Sequence, residues 1–487
     1  MSLPLPVDVV VIGAGPAGTA AARLLASWGH TVVLLDKGAD RSRGLAESIP
    51  PSTSKLLSEI GVLGDVERAG FVRASGNTVW WASQRARVER FHSAGFQVFR
   101  PDFDRVMVNA AAIAGARIES HARVRTVTFG GELARIHYDQ RGRQSTVAAR
   151  FVLDCSGRAG VVGRWYRKPQ HDHRTCALVG VWQTETGWCL PDTTHTVVET
   201  FTDGWSWSVP TSPTLRHVGA MVASPAPAFG RRGGDALTRM YRAQIAKSRQ
   251  QAHVVSDATL KRVWACDASL YYSETYAGPQ FLLVGDAGSF IDPLSSFGVK
   301  KALASAWLAS VALHTALAHT DRASMAVDYF SNWERRVYAT HLRRSTEFAR
   351  TAYEAHRHPF WSARAMTSVE EVSGDDGGSV AFGGEVQRLF ERFRTAPHIN
   401  LVLSDGVRFE QRPVVRGREI VAEPALEGGL RFVANVDLVK LARIASQHRY
   451  VPDLFDAYCR TSPPVPLPSV VGGLSLLVAR GILHERT

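Results

Sequence analysis

Three glycines, Gly13, Gly15 and Gly18, and an acid at Asp36 carry the first chemical signal in the chain. In this spacing the first glycine permits a tight turn and the second lets the backbone approach a diphosphate. The third lets a helix pack closely on the strand before it. The context is the required one. The apolar run Val7 to Ile12 enters the turn, an alanine- and leucine-rich stretch follows, and a second apolar run ends in Asp36. Strand, glycine turn, helix and strand with a terminal acid bind a dinucleotide, its pyrophosphate at the helix N-terminus and the acid on a ribose. A second signal lies at Phe281 to Val299, where an apolar run ends at Gly285-Asp286 and Gly298-Val299 opens a long helix. Asp286 at a strand end can accept hydrogen bonds from a sugar-like chain. The helix start offers free N–H groups and partial positive charge to a ring system. The run Phe151 to Leu153 followed by Asp154-Cys155-Ser156-Gly157-Arg158 is a third sharp turn after a buried strand. Finally, Trp205 and Trp207 in WSWSVP share one face of a strand. They are either the wall of an aromatic pocket or an ordinary half-buried strand.

These groups need elements to hold them. Ser52 to Ile60 reads as a helix, Phe71 to Trp81 as strand-like in its second half, and Val106 to Ala114 as a helix entered from Val98 to Arg105. Short alternating strands fill about 117 to 153. Residues 171–275, rich in Thr, Val, Trp and Tyr and punctuated by Gly and Pro, read as an antiparallel sheet. The helix from Gly298 is followed by another over Met325 to Tyr353. Ser373 to Glu385 reads as a glycine-rich linker, and residues 386–487 as a small, mainly helical, winged-helix-like unit that caps the main domain or docks a partner. Within it, Leu430 to Ala434 is expected as a strand, Val436 to Ser446 and Val470 to Leu483 as helices. The fold class is therefore α/β. A discontinuous dinucleotide-binding domain (1–170 and 276–355) carries an antiparallel-sheet substrate domain (171–275) and the C-terminal unit.

Composition sets outer limits. The 487 residues are 45% hydrophobic and 21% charged, ordinary for a globular protein. Five scattered cysteines without ligand spacing argue against a disulfide framework or a metal site. No signal peptide is visible, and the apolar stretch of about Ala302 to Leu317 is too short to span a bilayer, so the expected location is cytoplasmic. The net charge of +12 is mostly arginine spread along the chain, not blocks of five or six like charges. It fits an anionic cofactor and an acidic protein partner better than nucleic acid.

The chain resembles the two-glycine-motif flavoprotein monooxygenases, and within them the flavin-dependent halogenase branch. The carrying residues are Gly13, Gly15 and Gly18, Arg100-x-x-Phe103-Asp104-Arg105, Asp154-x-Ser156-Gly157-Arg158, Gly285-Asp286-Ala287, and Asp292-Pro293 through Gly298-Val299. Together they span about residues 5 to 350. WSWSVP is similar to the halogenases' WxWxIP motif, with Val209 replacing isoleucine. The resemblance implies a p-hydroxybenzoate-hydroxylase-like fold and FAD held by Gly13, Gly15, Ala17, Gly18, Asp36, Lys37, Arg105, Gly157, Gly285, Asp286, Pro293, Gly298 and Val299. It further implies O2 as co-substrate, reacting with reduced flavin to give a C4a-hydroperoxide. No second GxGxxG exists, so electrons come from transiently bound NAD(P)H, from a reductase partner or from free reduced flavin.

One departure matters. Halogenases of this branch need a lysine beside the substrate pocket to capture or orient hypohalous acid. The comparable place here is Arg73-Ala74-Ser75-Gly76, and no lysine occurs between Lys55 and Lys168. Arginine stays protonated and cannot form a chloramine. Lys300 and Lys301 lie at the flavin end. Direct oxygen transfer is therefore expected, in a pocket formed by Arg73, Trp80, Trp205 and Trp207, with Glu47 and the histidines as candidate bases. With its extra C-terminal unit, the chain resembles the flavoprotein monooxygenases that mature tryptophylquinone cofactors. That resemblance implies a tryptophan side chain within a protein or peptide as substrate. Three alternatives stay open: a halogenase using another group, a geranylgeranyl-reductase-like flavin reductase, and a non-catalytic flavoprotein scaffold.

Overall fold

A computed structural model describes residues 5–38, 44–170, 174–224, 234–367, 383–426, 431–433 and 435–486. The chain divides into two compact units, Met1–Glu371 and Val372–Thr487.

The first unit is built on two eight-stranded sheets. At the centre of one, the strands Val7–Ile12, Val32–Asp36, Arg143–Asp154, Phe281–Leu283 and Arg117–Ser120 run parallel. Val9–Ile12, Val32–Leu35, Phe151–Leu153 and Phe281–Leu283 are continuous apolar runs because both faces are covered there; Val9, Val10 and Val11 have no solvent exposure. Register decides the rest. Ile12 pairs with Leu35 and with Asp154, and Asp154 pairs with Leu283. The strands therefore end in line, and the segments after them emerge along one edge, where open α/β sheets bind ligands. The helices Pro16–Ser27 and Gly298–Ala318 pack against each other. The second of these has 21 residues and is apolar enough, by length and composition, to cross a bilayer, contrary to the expectation from the sequence. In this fold Leu303, Val311 and Leu313 are fully buried, so it serves as a core helix.

The other sheet runs Thr259–Asp267, Thr175–Gln183, Leu215–Ala223, Gly204–Pro210, Thr196–Phe201, Val72–Trp80, Arg87–Phe99 and Ala46–Ile49. Its last three strands lie outside 171–275, so that boundary fails to contain the sheet. The strands Thr196–Phe201 and Val72–Trp80 join the two segments in parallel. One face is backed by the helices Gly234–Lys247 and Arg249–Val254; the other faces the cavity described below. The helix expected from Val106 begins earlier and spans Arg100–Ile113. Pro101 in its first turn presets the backbone, and Asp102 complements the helix dipole.

The second unit has its own core, with Leu438, Leu441, Leu474 and Leu477 buried. Around it lie the helices Gly383–Thr395, Leu438–Ala445, Val451–Arg460 and Leu467–Ala479 and the hairpin Phe409–Arg416/Glu419–Leu426. Residues 373–382 of the expected linker lie outside the described residues, as do 430 and 434 at the ends of the expected strand. The Leu438 helix starts two residues late because Asp437 accepts from Lys440 N–H as its cap. The last helix stops at Ala479, and Gly481 at φ +68° turns the chain into the Leu483–Glu485 strand.

Candidate active site

A cavity of about 1170 Å³ begins at the aligned ends of the parallel strands and reaches the face of the second sheet. That exceeds the roughly 300–1,000 Å³ of an ordinary small-molecule pocket. At the strand ends, Gly13 adopts φ +102°, and a Cβ there would lie 2.6 Å from the Cys155 carbonyl oxygen. A Cβ on Gly18 would lie 1.9 Å from the Gly13 carbonyl oxygen, so close packing of helix on turn demands glycine. Gly15 opens onto the cavity with Ala17 beside it. Asp36 accepts from Ala14 N–H at 3.3 Å and from Gly38 N–H at 3.0 Å, which fixes its carboxylate at the cavity wall beside Lys37.

Arg100 is the functional residue whose role the motif reading missed. Its guanidinium lies 3.8 Å from where a Gly15 Cβ would stand, a cation at the diphosphate cradle. Two of its nitrogens donate to the two Asp104 oxygens at 3.0 and 3.2 Å, and a third lies 3.5 Å from Glu47 Oε1. The signal was present in sequence as Arg and Asp four apart behind a helix-starting Pro101. Burial pushes the Glu47 carboxyl up, with Arg100 opposing and Asp286 and Asp104 adding to the rise. Arg105 also lines this end.

Asp154 is wholly buried and does not line the cavity. It accepts from the Ser156, Val162 and Gly163 N–H groups and from the Ser156 hydroxyl, so it ties the 155–163 loop in place. Gly157 (φ +63°) faces open space there. Arg158 lies over the Phe290 ring at 4.1 Å and pairs with Asp267 at 3.1 Å. On the opposite wall Asp286, Pro293, Gly298 and Val299 line the cavity, and a Cβ at Gly298 would meet nothing within 4 Å. Gly285 sits behind this wall against Ala17 and Ala302.

The far end is aromatic and apolar. Alternation along Gly204–Pro210 turns Trp205, Trp207 and Val209 into the cavity, joined by Ala177, Val179, Val198 and Met221 from neighbouring strands. Trp205 is 2% exposed and meets Trp81 edge-on at 6.4 Å. The Trp207 indole lies on the backbone of its cross-strand partner Gly219, where a Cβ would be 2.3 Å from the ring.

Residues 6–343 match the FAD binding domain family. The chain belongs to that family. Tryptophan 2-halogenase of Chondromyces crocatus is 28% identical over 384 residues, covering 76% of this chain and 73% of its own. The structure of CmlS, described as a flavin-dependent halogenase, matches with a TM-score of 0.81 at 20% identity, covering 99% of this chain and 96% of its own. QhpG, described as a peptidyl tryptophan dihydroxylase essential for tryptophylquinone cofactor biogenesis, matches with a TM-score of 0.66 at 21% identity, over 98% of this chain and all of its own. The fold is thus that of the halogenase-like FAD monooxygenases, and the chain is an oxidoreductase-type flavoprotein.

The residues present fit FAD. The Gly13 to Gly18 cradle excludes side chains, two helix N-termini face one cavity, and Arg100 supplies a cation where a diphosphate would lie. Two expectations about the substrate end fail. Arg73 does not line the cavity: it is exposed, stacks over the Phe96 ring at 4.3 Å and donates to the Ala94 carbonyl. Trp80 does not line it either; its neighbour Trp81 is the residue packed on Trp205. No histidine is among the described lining residues, whereas Glu47 does line the cavity. Lys37, beside Asp36, is the single lysine among those residues. Lys300 instead donates to Ser52 Oγ, and Lys301 is buried behind the wall.

Proposed function

We propose that this flavoprotein hydroxylates an electron-rich indole, carried as a tryptophan side chain in a protein or peptide, with O2 as co-substrate. The carrying observation is the far end of the cavity, with its tryptophan and aliphatic lining and no lysine among its described residues. Reduced FAD supplies the activated oxygen; NAD(P)H, a reductase partner or external reduced flavin supplies the electrons. The chain's part is geometric and electrostatic. Trp205, Trp207 and Val209 hold a planar aromatic ring and exclude water, and the two helix N-termini and Arg100 anchor the cofactor. Glu47, whose carboxyl burial pushes up, stands 3.5 Å from Arg100 at the cradle end, so it belongs to the cofactor side and is not assigned as the acceptor of the ring proton.

The QhpG likeness, which extends over nearly the whole chain, supports a polypeptide substrate. Mass spectrometry of a tryptophan-bearing peptide and of free tryptophan, each with protein, FAD, reductant and O2, tests this. Oxygen gain on the peptide alone is the expected result; oxidation of free tryptophan alone would overturn the polypeptide reading. A second reading, halogenation, is favoured by the sequence similarity to tryptophan 2-halogenase, and it predicts turnover that requires halide.

A further inference from the structure

A lysine ammonium sealed inside a protein is costly unless it is paired and hydrogen-bonded. Lys301, in the first turn of the Gly298–Ala318 helix, has a side chain only 1% exposed. Its Nζ donates to the Gly285 carbonyl at 3.1 Å and to the Ser289 carbonyl, and lies 3.5 Å from Asp286 Oδ1. Asp286 in turn lines the cavity. From the same helix, Ser305 Oγ accepts from Gly285 N–H at 2.8 Å. One helix thus grips both sides of the turn that presents Asp286.

Behind Lys301 stands Glu334, on the Ala323–His356 helix, with no solvent exposure and no hydrogen-bond partner for either oxygen among the described residues. The Tyr276, Tyr338 and Ser289 hydroxyls are buried and unpartnered as well. Five such oxygens in one region call for trapped water, since buried polar groups are rarely left unsatisfied. Burial raises the Glu334 carboxyl to about 7, with the Lys301 charge opposing and Asp286 adding to the rise.

We propose that Lys301 is a positioning residue of the cofactor site, clamping the Gly285–Ser289 turn that presents Asp286, and that Glu334 is its proton-exchanging counter-ion reached through trapped water. This rests on FAD occupying the cavity. When Glu334 is neutral, the Lys301 ammonium and the Asp286 carboxylate balance each other behind the wall. When Glu334 ionises, net negative charge stands there and disfavours the extra negative charge a flavin gains on reduction. The flavin midpoint potential therefore falls more steeply with pH around 7 than it does on either side.

Spectroelectrochemical titration of the FAD-loaded protein between pH 5 and 9 tests this. Lys301→Met should weaken binding of reduced FAD relative to oxidised FAD by at least about fivefold, and Lys301→Arg should restore most of the difference. Glu334→Gln should remove the steep region near pH 7. A Lys301→Met protein that binds FAD with an unchanged potential at every pH would overturn the proposal. If that variant fails to fold, Glu334→Gln decides: a retained steep region overturns the proposal and its loss supports it. An apo-protein measurement stands beside these. Because folding raises Glu334 from 4.5 to about 7, its contribution to stability falls as pH rises through that window, and Glu334→Gln should lack this fall. Wild-type protein that takes up no FAD would instead refute the cofactor assignment.

Discussion

Gly13→Val should yield a folded protein that purifies without flavin, its affinity for FAD reduced at least about 100-fold, or about 2.7 kcal/mol. Two costs combine at this position. The backbone sits at φ +102°, a region that β-branched side chains avoid, and even a single Cβ would stand 2.6 Å from the Cys155 carbonyl oxygen. Cys155 directly follows the neighbouring strand and cannot yield without moving the 155–163 loop that Asp154 ties down. The turn must open, and the N–H groups that face the diphosphate then lose their alignment. Absorbance of the purified protein and FAD titration by fluorescence quenching check this. Wild-type flavin content in the variant would show that the cradle is not where the cofactor binds.

Trp207→Ala should produce the opposite split: FAD is retained and turnover falls at least about 100-fold. Trp207 contributes a flat wall at the far end of the cavity, away from the glycine cradle. Its ring is seated on Gly219, so Gly219→Val should displace the indole and give a similar loss with Trp207 still present. Steady-state turnover alongside flavin content separates the two effects. Full activity in both variants would remove this wall from the substrate site.

The glycine cradle was legible because its meaning is local. Gly13, Gly15, Gly18 and Asp36 lie within one strand–helix–strand passage whose periodicity announces itself. The convergence of three further segments on the same edge was not written locally. It depends on Ile12, Asp154 and Leu283 falling into register across strands far apart in the chain. Arg73 was assigned to the pocket by comparison with the halogenase lysine position, and the groups that hold it elsewhere, the Phe96 ring and the Ala94 carbonyl, lie on the neighbouring Arg87–Phe99 strand. The strands Ala46–Ile49 and Arg87–Phe99 joined a sheet whose composition was recognisable only at 171–275, because they reach it through Val72–Trp80, whose pairing with Thr196–Phe201 lies far along the sequence. Trp205 and Trp207 were placed correctly on one face by simple alternation, yet their seating on Trp81 and Gly219 needed the neighbouring strands. The Lys301–Glu334 region was invisible for the same reason. A lysine beside a helix start and a glutamate mid-helix look exposed until two helices bury them together.

Oxygen transfer without halide is best tested by product mass after turnover with isotopically labelled dioxygen. The protein would be loaded with FAD and reductant, given a tryptophan-bearing peptide, and assayed in halide-free buffer and again with bromide. Labelled oxygen in the product, in equal yield under both conditions, is the expected result. Product that forms only with bromide and carries a bromine isotope pattern without labelled oxygen would contradict it.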